Sequence, residues 1–189
     1  MTTYIWLFPL LFIFHDLEEI IGFIPWIEKK SDLLKEKAPL LLKTHKDLTT
    51  EGFALAVFEE FCLILLISLA AFCSQSRFLY LIWLGGLIAF SLHLLFHIIQ
   101  AFMLRQYIPA VGTALLCLPI SSVIILNSCH FLHANVIELF CFGLIGLLIV
   151  IFNLLLALRL GKQFSKWLNL SLIHISFVFS GDKSSQKRA

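Results

Sequence analysis

Charge is scarce in this sequence, and the scarcity sets its class. Asp, Glu, Lys and Arg make up 14% of 189 residues, 60% are hydrophobic, and the mean hydropathy is +0.95. An ordinary soluble domain is excluded, because apolar residues far outnumber what one small core can cover. Segments of alternating polarity are absent as well, which argues against a transmembrane β-barrel. A net charge of +2 leaves no basic excess for nucleic acid. The five cysteines are scattered, with no C-x-x-C pair, so neither a disulfide framework nor a thiolate metal site is indicated. Most read as small apolar packers, and Cys73 and Cys129 fall near the same face of the membrane, within reach of a bridge. No solenoid-length or inverted repeat is visible. Met1 to Trp6 lacks the basic flank and cleavage site of a signal peptide, so the first span is expected to be retained.

What is present is a series of long apolar runs, each the length of a membrane-crossing helix. The sequence predicts an all-α membrane protein, a bundle of about five transmembrane helices at 4–27, 52–72, 78–104, 109–128 and 136–160. Residues 1–162 form the membrane domain, and 163–189 form a cytoplasmic tail whose end, Gly181 to Ala189, is polar and expected to be disordered. Pro119, with Ser121 and Ser122, is a predicted kink in the fourth span. The one sizeable loop, Glu28 to Thr50, interleaves six lysines with leucines. It reads either as a short helix on an anionic membrane surface or as a solvated loop. Orientation follows from basic residues: with the N-terminus outside and the C-terminus inside, thirteen fall on the inner side and only Arg77 on the outer.

Seven ionisable side chains interrupt the first three spans: His15, Glu18, Glu19, Glu59, Glu60, His93 and His97. Ionisable residues are costly in a bilayer and mark functional sites. His15, Glu18 and Glu19 share a helical face, as do His93 and His97 with Gln100 one turn further on. Glu59 and Glu60 point about 100° apart and serve one site only if it wraps around their helix. Counting about 1.5 Å per residue places the four glutamates and His97 roughly 10–14 Å from the inner ends, with His15 and His93 roughly 16–18 Å deep. Four carboxylates gathered in hydrocarbon repel one another, and one or two divalent cations would neutralise them. Carboxylate and imidazole ligands on facing helices build the di-iron and di-manganese sites of helix bundles, and such ligands suit iron, manganese or zinc. A protonatable relay and a purely structural polar network are the alternatives.

Around this cluster, Asp16 reads as a carboxylate orienting a ligand, and Cys62 as a cavity neighbour. Arg105 and Tyr107 stand at the inner end of the third span, either as an interfacial anchor or as a clamp for an anionic substrate. Asn153 is a candidate polar wall. The outer His130-x-x-His133 with Glu138 reads as a solvent-exposed loop feature rather than a metal site.

These residues resemble the HXXEE-motif family of bacterial integral membrane proteins, whose function is unknown. The resemblance rests on His15-Asp16-Leu17-Glu18-Glu19, Glu59-Glu60, His93/His97 with Gln100, and Arg105, Tyr107 and Pro109, covering roughly residues 10–160. The family pattern has glycine after that proline, where this chain has Ala110. The resemblance implies the bacterial cytoplasmic (inner) membrane and a site with the character of an enzyme, without an established activity.

The leading expectation is a metal-dependent membrane enzyme opening to the cytoplasm, with Glu19 or Glu60 doubling as general base. With zinc, hydrolysis by activated water is expected; with iron, oxidation or hydroxylation of a lipid or isoprenoid tail. Arg105, Tyr107, Gln100 and Asn153 would contact the substrate. A cation- or proton-coupled transporter is the rival, weakened by the absence of repeats. A structural membrane subunit is the third reading. The bilayer is the one partner indicated, and nothing points to a protein partner.

Overall fold

The buried positions of the first helix, Ile5, Phe8, Phe12, His15, Asp16, Glu19, Phe23, Ile24 and Ile27, recur every three or four residues. That spacing is one stripe of an α-helix, and the stripe faces the interior of a helical bundle. The structure, a computed structural model, describes the backbone of residues 1–186 and the side chains of residues 1–171. Its elements are α1 (Thr2–Lys29), α2 (Ser31–Lys37), α3 (Pro39–His45), α4 (Thr50–Ser74), α5 (Arg77–Leu104), α6 (Val111–Leu132) and α7 (Val136–Gln186). This is an all-α membrane fold: α4, α5, α6 and α7 are each long and apolar enough to cross a bilayer. α1, at 28 residues, is also long enough, and differs in that Asp16, Glu18 and Glu19 cluster near its middle.

Short connections make sequence neighbours antiparallel. Thr49 caps α4 by accepting from Gly52 N at 3.2 Å, and Ser76 caps α5 by accepting from Leu79 N at 3.2 Å. α1 packs against α4 and α6, α5 against α6, and α7 runs along both α4 and α5. Two close approaches hold α7 in place. A Cβ on Gly85 or Gly146 would run into backbone of the facing helix in the α5–α7 contact, and Gly52 and Gly161 meet in the same way between α4 and α7. Small residues are how helices pack where no hydrophobic force drives them together. The outward faces stay apolar: Ile137, Phe140, Leu148 and Phe152 of α7 are all exposed.

The described elements extend the predicted spans by a few residues, and α7 by far more. It continues through residues that the sequence places in a tail, because Gly161 lies on Gly52 and Ser165 keeps the helix pinned to α4. Ser165 Oγ accepts from Thr49 N at 3.1 Å and donates to Gly161 O at 2.9 Å. Residues 187–189, the end of the segment expected to be disordered, lie outside the described residues. The lysine-rich loop folds as α2 and α3, with Leu34 fully buried beneath it. α6 passes through Pro119 as continuous helix, and the hydroxyls of Ser121 and Ser122 donate to Leu118 O at 3.0 and 2.8 Å. All five cysteines are free.

Candidate metal centre

α1 and α5 alone assemble the core of the site. His15 and Glu19 are one turn apart on the buried stripe of α1, and His93 and His97 are one turn apart on α5. One ligand atom from each of the four lies within 4.8 Å of every other. Glu19 Oε1 is 2.6 Å from His97 Nε2, 3.8 Å from His93 Nε2 and 4.0 Å from His15 Nε2. His93 and His97 bring their Nε2 atoms to 3.0 Å. Bonds of about 2.1 Å to a tetrahedral ion would separate ligand atoms by about 3.4 Å. The observed separations straddle that value. Valences are also open: His15 Nε2 and Glu19 Oε1 are buried without a well-oriented hydrogen-bond partner. Four nitrogen and oxygen donors facing a common point could hold one divalent ion.

Glu18, next in sequence to Glu19, faces elsewhere. It receives Thr113 N at 2.8 Å, Thr113 Oγ1 at 2.7 Å and the Tyr107 hydroxyl. Thr113 is the third residue of α6, so Glu18 satisfies donors left free at that helix's N-terminus, where negative charge is favoured. Its bond to Glu18 raises the Tyr107 pKa. Thr113 Oγ1 also lies 3.0 Å from His15 Nδ1. A carboxylate only accepts, so the hydroxyl gives its proton to Glu18 and takes one from Nδ1–H. His15 is thereby held in the tautomer whose Nε2 lone pair faces the cluster, a common role for groups behind a metal-binding histidine. Glu18 reaches the centre through Thr113 and not directly.

The adjacent pair on α4 also divides. Glu59 turns to α7 and accepts from Asn153 Nδ2 at 2.9 Å. Glu60 turns inward onto a cavity of about 230 Å³ that Asp16, Glu19, His93, His97 and Gln100 also line. Asp16 is buried there with Oδ2 unpartnered. A narrower cavity of about 70 Å³ shares Glu60 and His93 and is walled by Phe8, Phe12, Gly86 and Phe90, with Asn153 at its edge. Arg105 is exposed, in the left-handed conformation that ends α5. At the opposite end of the bundle, His130 and His133 keep their ring centroids 6.4 Å apart, and Glu138 is bound to Arg77.

Of the seven cluster residues read from sequence, the structure gathers His15, Glu19, His93 and His97, sets Glu60 on the cavity wall, and places Glu18 and Glu59 in bonds of their own. Two participants had gone unnoticed. Thr113 leaves no signal beyond being a hydroxyl residue just after the Pro109 turn. His45, from the lysine-rich loop, stacks edge-on against Phe23 at 5.1 Å and reaches the cavity wall. Burial pushes its pKa below the usual histidine value.

The family profile described as "Protein of unknown function with HXXEE motif" matches residues 6–124, and the chain belongs to that family. The match runs from α1 into α6 and takes in all four convergent residues. No curated protein and no solved structure matches the chain.

Proposed function

We propose that this HXXEE-family protein is a metal-dependent enzyme of the bacterial cytoplasmic membrane, with five spans, N-terminus out and C-terminus in, acting on a lipid-like substrate. One divalent ion, iron, manganese or zinc, would be held by His15, Glu19, His93 and His97. The observation that carries this reading is the convergence of four donor groups between α1 and α5, with His15, Glu19 and His97 buried, His93 half-buried, and His15 Nε2 left without a hydrogen-bond partner. A structural polar network would be expected to close its hydrogen bonds. Such an ion would supply a Lewis acid at the cavity wall. Thr113 keeps His15 in its donor tautomer. Glu60, on the cavity wall, is placed to take or give a proton, with Asp16 behind it. Gln100 offers an amide for orientation on the same wall. Orientation rests on the basic residues: Lys35, Lys43, Lys46 and Lys166 gather at the loop end, while Arg77 starts α5 at the other.

The test is elemental analysis of anaerobically purified protein. About one ion per chain is expected, in keeping with a single four-ligand site, and Glu19→Gln should abolish it while the protein still inserts. A second reading, a proton relay, draws on the same cavity, where Asp16, Glu19, Glu60 and His45 stand together. It forecasts no stoichiometric metal in any preparation and a pH-dependent proton flux lost in Glu60→Gln.

A further inference from the structure

Three cavities, from the loop side into the bundle, each share at least one lining residue with the next. The largest, about 1040 Å³, opens among α2, α3 and α7 and is lined by Lys35, Lys43, Lys46 and Lys166. His45 lines both it and the cavity of about 230 Å³ at the candidate metal centre. Glu60, His93 and Leu154 line both that central cavity and the slot of about 70 Å³ beyond it. Lysines line only the first cavity, the central one combines three histidines and three carboxylates with Phe23, Phe53 and Phe96, and the slot is mostly apolar.

We propose that these cavities form one binding path, with His45 at its throat, for a single-chain amphiphile with an anionic head. The head lies among the lysines, the chain passes the metal centre, and its end fills the slot walled by Phe8, Phe12 and Phe90. This rests on the metal-centre reading and adds its substrate class and direction of entry. Lys35 is paired with Asp32 at 2.9 Å, whereas among the described residues Lys43, Lys46 and Lys166 have no ion-pair partner. Glu28, Asp47 and Glu51 share the rim, so the head would meet three exposed, flexible ammonium groups, Lys43, Lys46 and Lys166, and not a bulk positive field. The slot, at about 70 Å³, is the smallest of the three and the one walled mainly by apolar side chains, which suits the end of a hydrocarbon chain. Arg105, the anion clamp expected from sequence, lines none of these cavities.

The experiment uses the full chain in nanodiscs of neutral phosphatidylcholine, with and without Co²⁺, against protein-free discs. The probes are dodecyl phosphate, dodecanol and inorganic phosphate. Dodecyl phosphate should bind at least about tenfold more tightly than either of the others and should alter the visible spectrum of the Co²⁺ protein. The triple variant Lys43→Gln, Lys46→Gln, Lys166→Gln should weaken dodecyl phosphate about tenfold to a hundredfold and leave dodecanol unchanged. His45→Trp should abolish the spectral change while inorganic phosphate still binds as before. Dodecanol binding as tightly as dodecyl phosphate, a bound phosphate ester that leaves the Co²⁺ spectrum unmoved, or indifference to both variants would overturn the path. Failure of Co²⁺ to load would instead remove the metal reading, and the probe affinities of the metal-free protein would still decide for or against the path.

Discussion

Where α5 and α7 begin, the polar groups of Arg77 and Glu138 are mutually satisfied. Arg77 holds Glu138 through two bonds, at 2.7 and 2.8 Å, and its Nε donates to Leu132 O at 3.3 Å. Glu138 also accepts from Asn135 N at 3.0 Å, while its own N–H donates to Asn135 Oδ1 at 2.9 Å. At the candidate metal centre, His15 Nε2, Asp16 Oδ2 and His97 Nδ1 are buried without a partner, and Glu19 Oε1 has only the His97 imidazole, at 2.6 Å. The first arrangement is complete as it stands and ties two helices together. The second carries the cost of burial without the bonds that usually repay it, which is how a site built for something else looks. The two carboxylates Glu18 and Glu19 repeat the contrast on a single turn of helix: one caps α6, and the other faces three imidazoles.

The sharpest way to break the comparison is to remove a convergent ligand. His97→Ala should lower bound metal to near zero and should not reduce the yield of inserted protein, because it leaves a cavity beside an existing one. Retention of wild-type metal content would place the ion elsewhere or dismiss it. Thr113→Val comes next. It keeps the shape and deletes the hydroxyl between Glu18 and His15, so metal affinity should fall about tenfold to a hundredfold, the range for groups that orient a ligand. Thr113→Ser should restore most of it, and an equal loss in both variants would reduce Thr113 to a packing residue.

Arg77→Ala probes the satisfied end. The thermal midpoint should fall as α5 and α7 lose their outer tie, and metal content should not change. Loss of metal in this variant would mean that the two regions are coupled and that the contrast between them is false.

Much of this was legible in the sequence. Apolar runs gave the helices within a few residues, since a bilayer imposes length and all-round hydrophobicity. The i, i+4 spacing of His15 with Glu19 and of His93 with His97 gave the facing pairs. Pairs adjacent in sequence were the difficulty. Helical geometry sends Glu18 and Glu19, or Glu59 and Glu60, about 100° apart, and only the neighbouring helices decide which of each pair turns inward. Asn153 on α7 takes Glu59, and Thr113 on α6 takes Glu18. The extent of α7 was hidden for a similar reason: Ser165 looks like a tail residue until α4 lies against it.

The smallest expected effect lies at the turn into α6. Ala110 follows Pro109 and begins α6 with φ 95° and ψ −18°, a left-handed conformation that crowds any Cβ, and it is fully buried there. The turn is nonetheless fixed from both sides: Ala110 O accepts from Ala114 N at 2.8 Å as α6 begins, and Glu18 binds Thr113 one turn on. Alanine is thus carried by its surroundings at a cost of about 1–2 kcal/mol. Ala110→Gly relieves that strain and gives back part of it, about 0.4–1 kcal/mol, through the greater freedom of glycine in the unfolded chain. The net should be a gain of about 1 kcal/mol or less, seen as a slightly higher thermal midpoint, with metal affinity unchanged because the Glu18–Thr113–His15 chain keeps its geometry. A clear loss of stability would show that the methyl group contributes packing worth more than the strain. A change in metal affinity would show that the turn, and not Glu18, sets the position of Thr113.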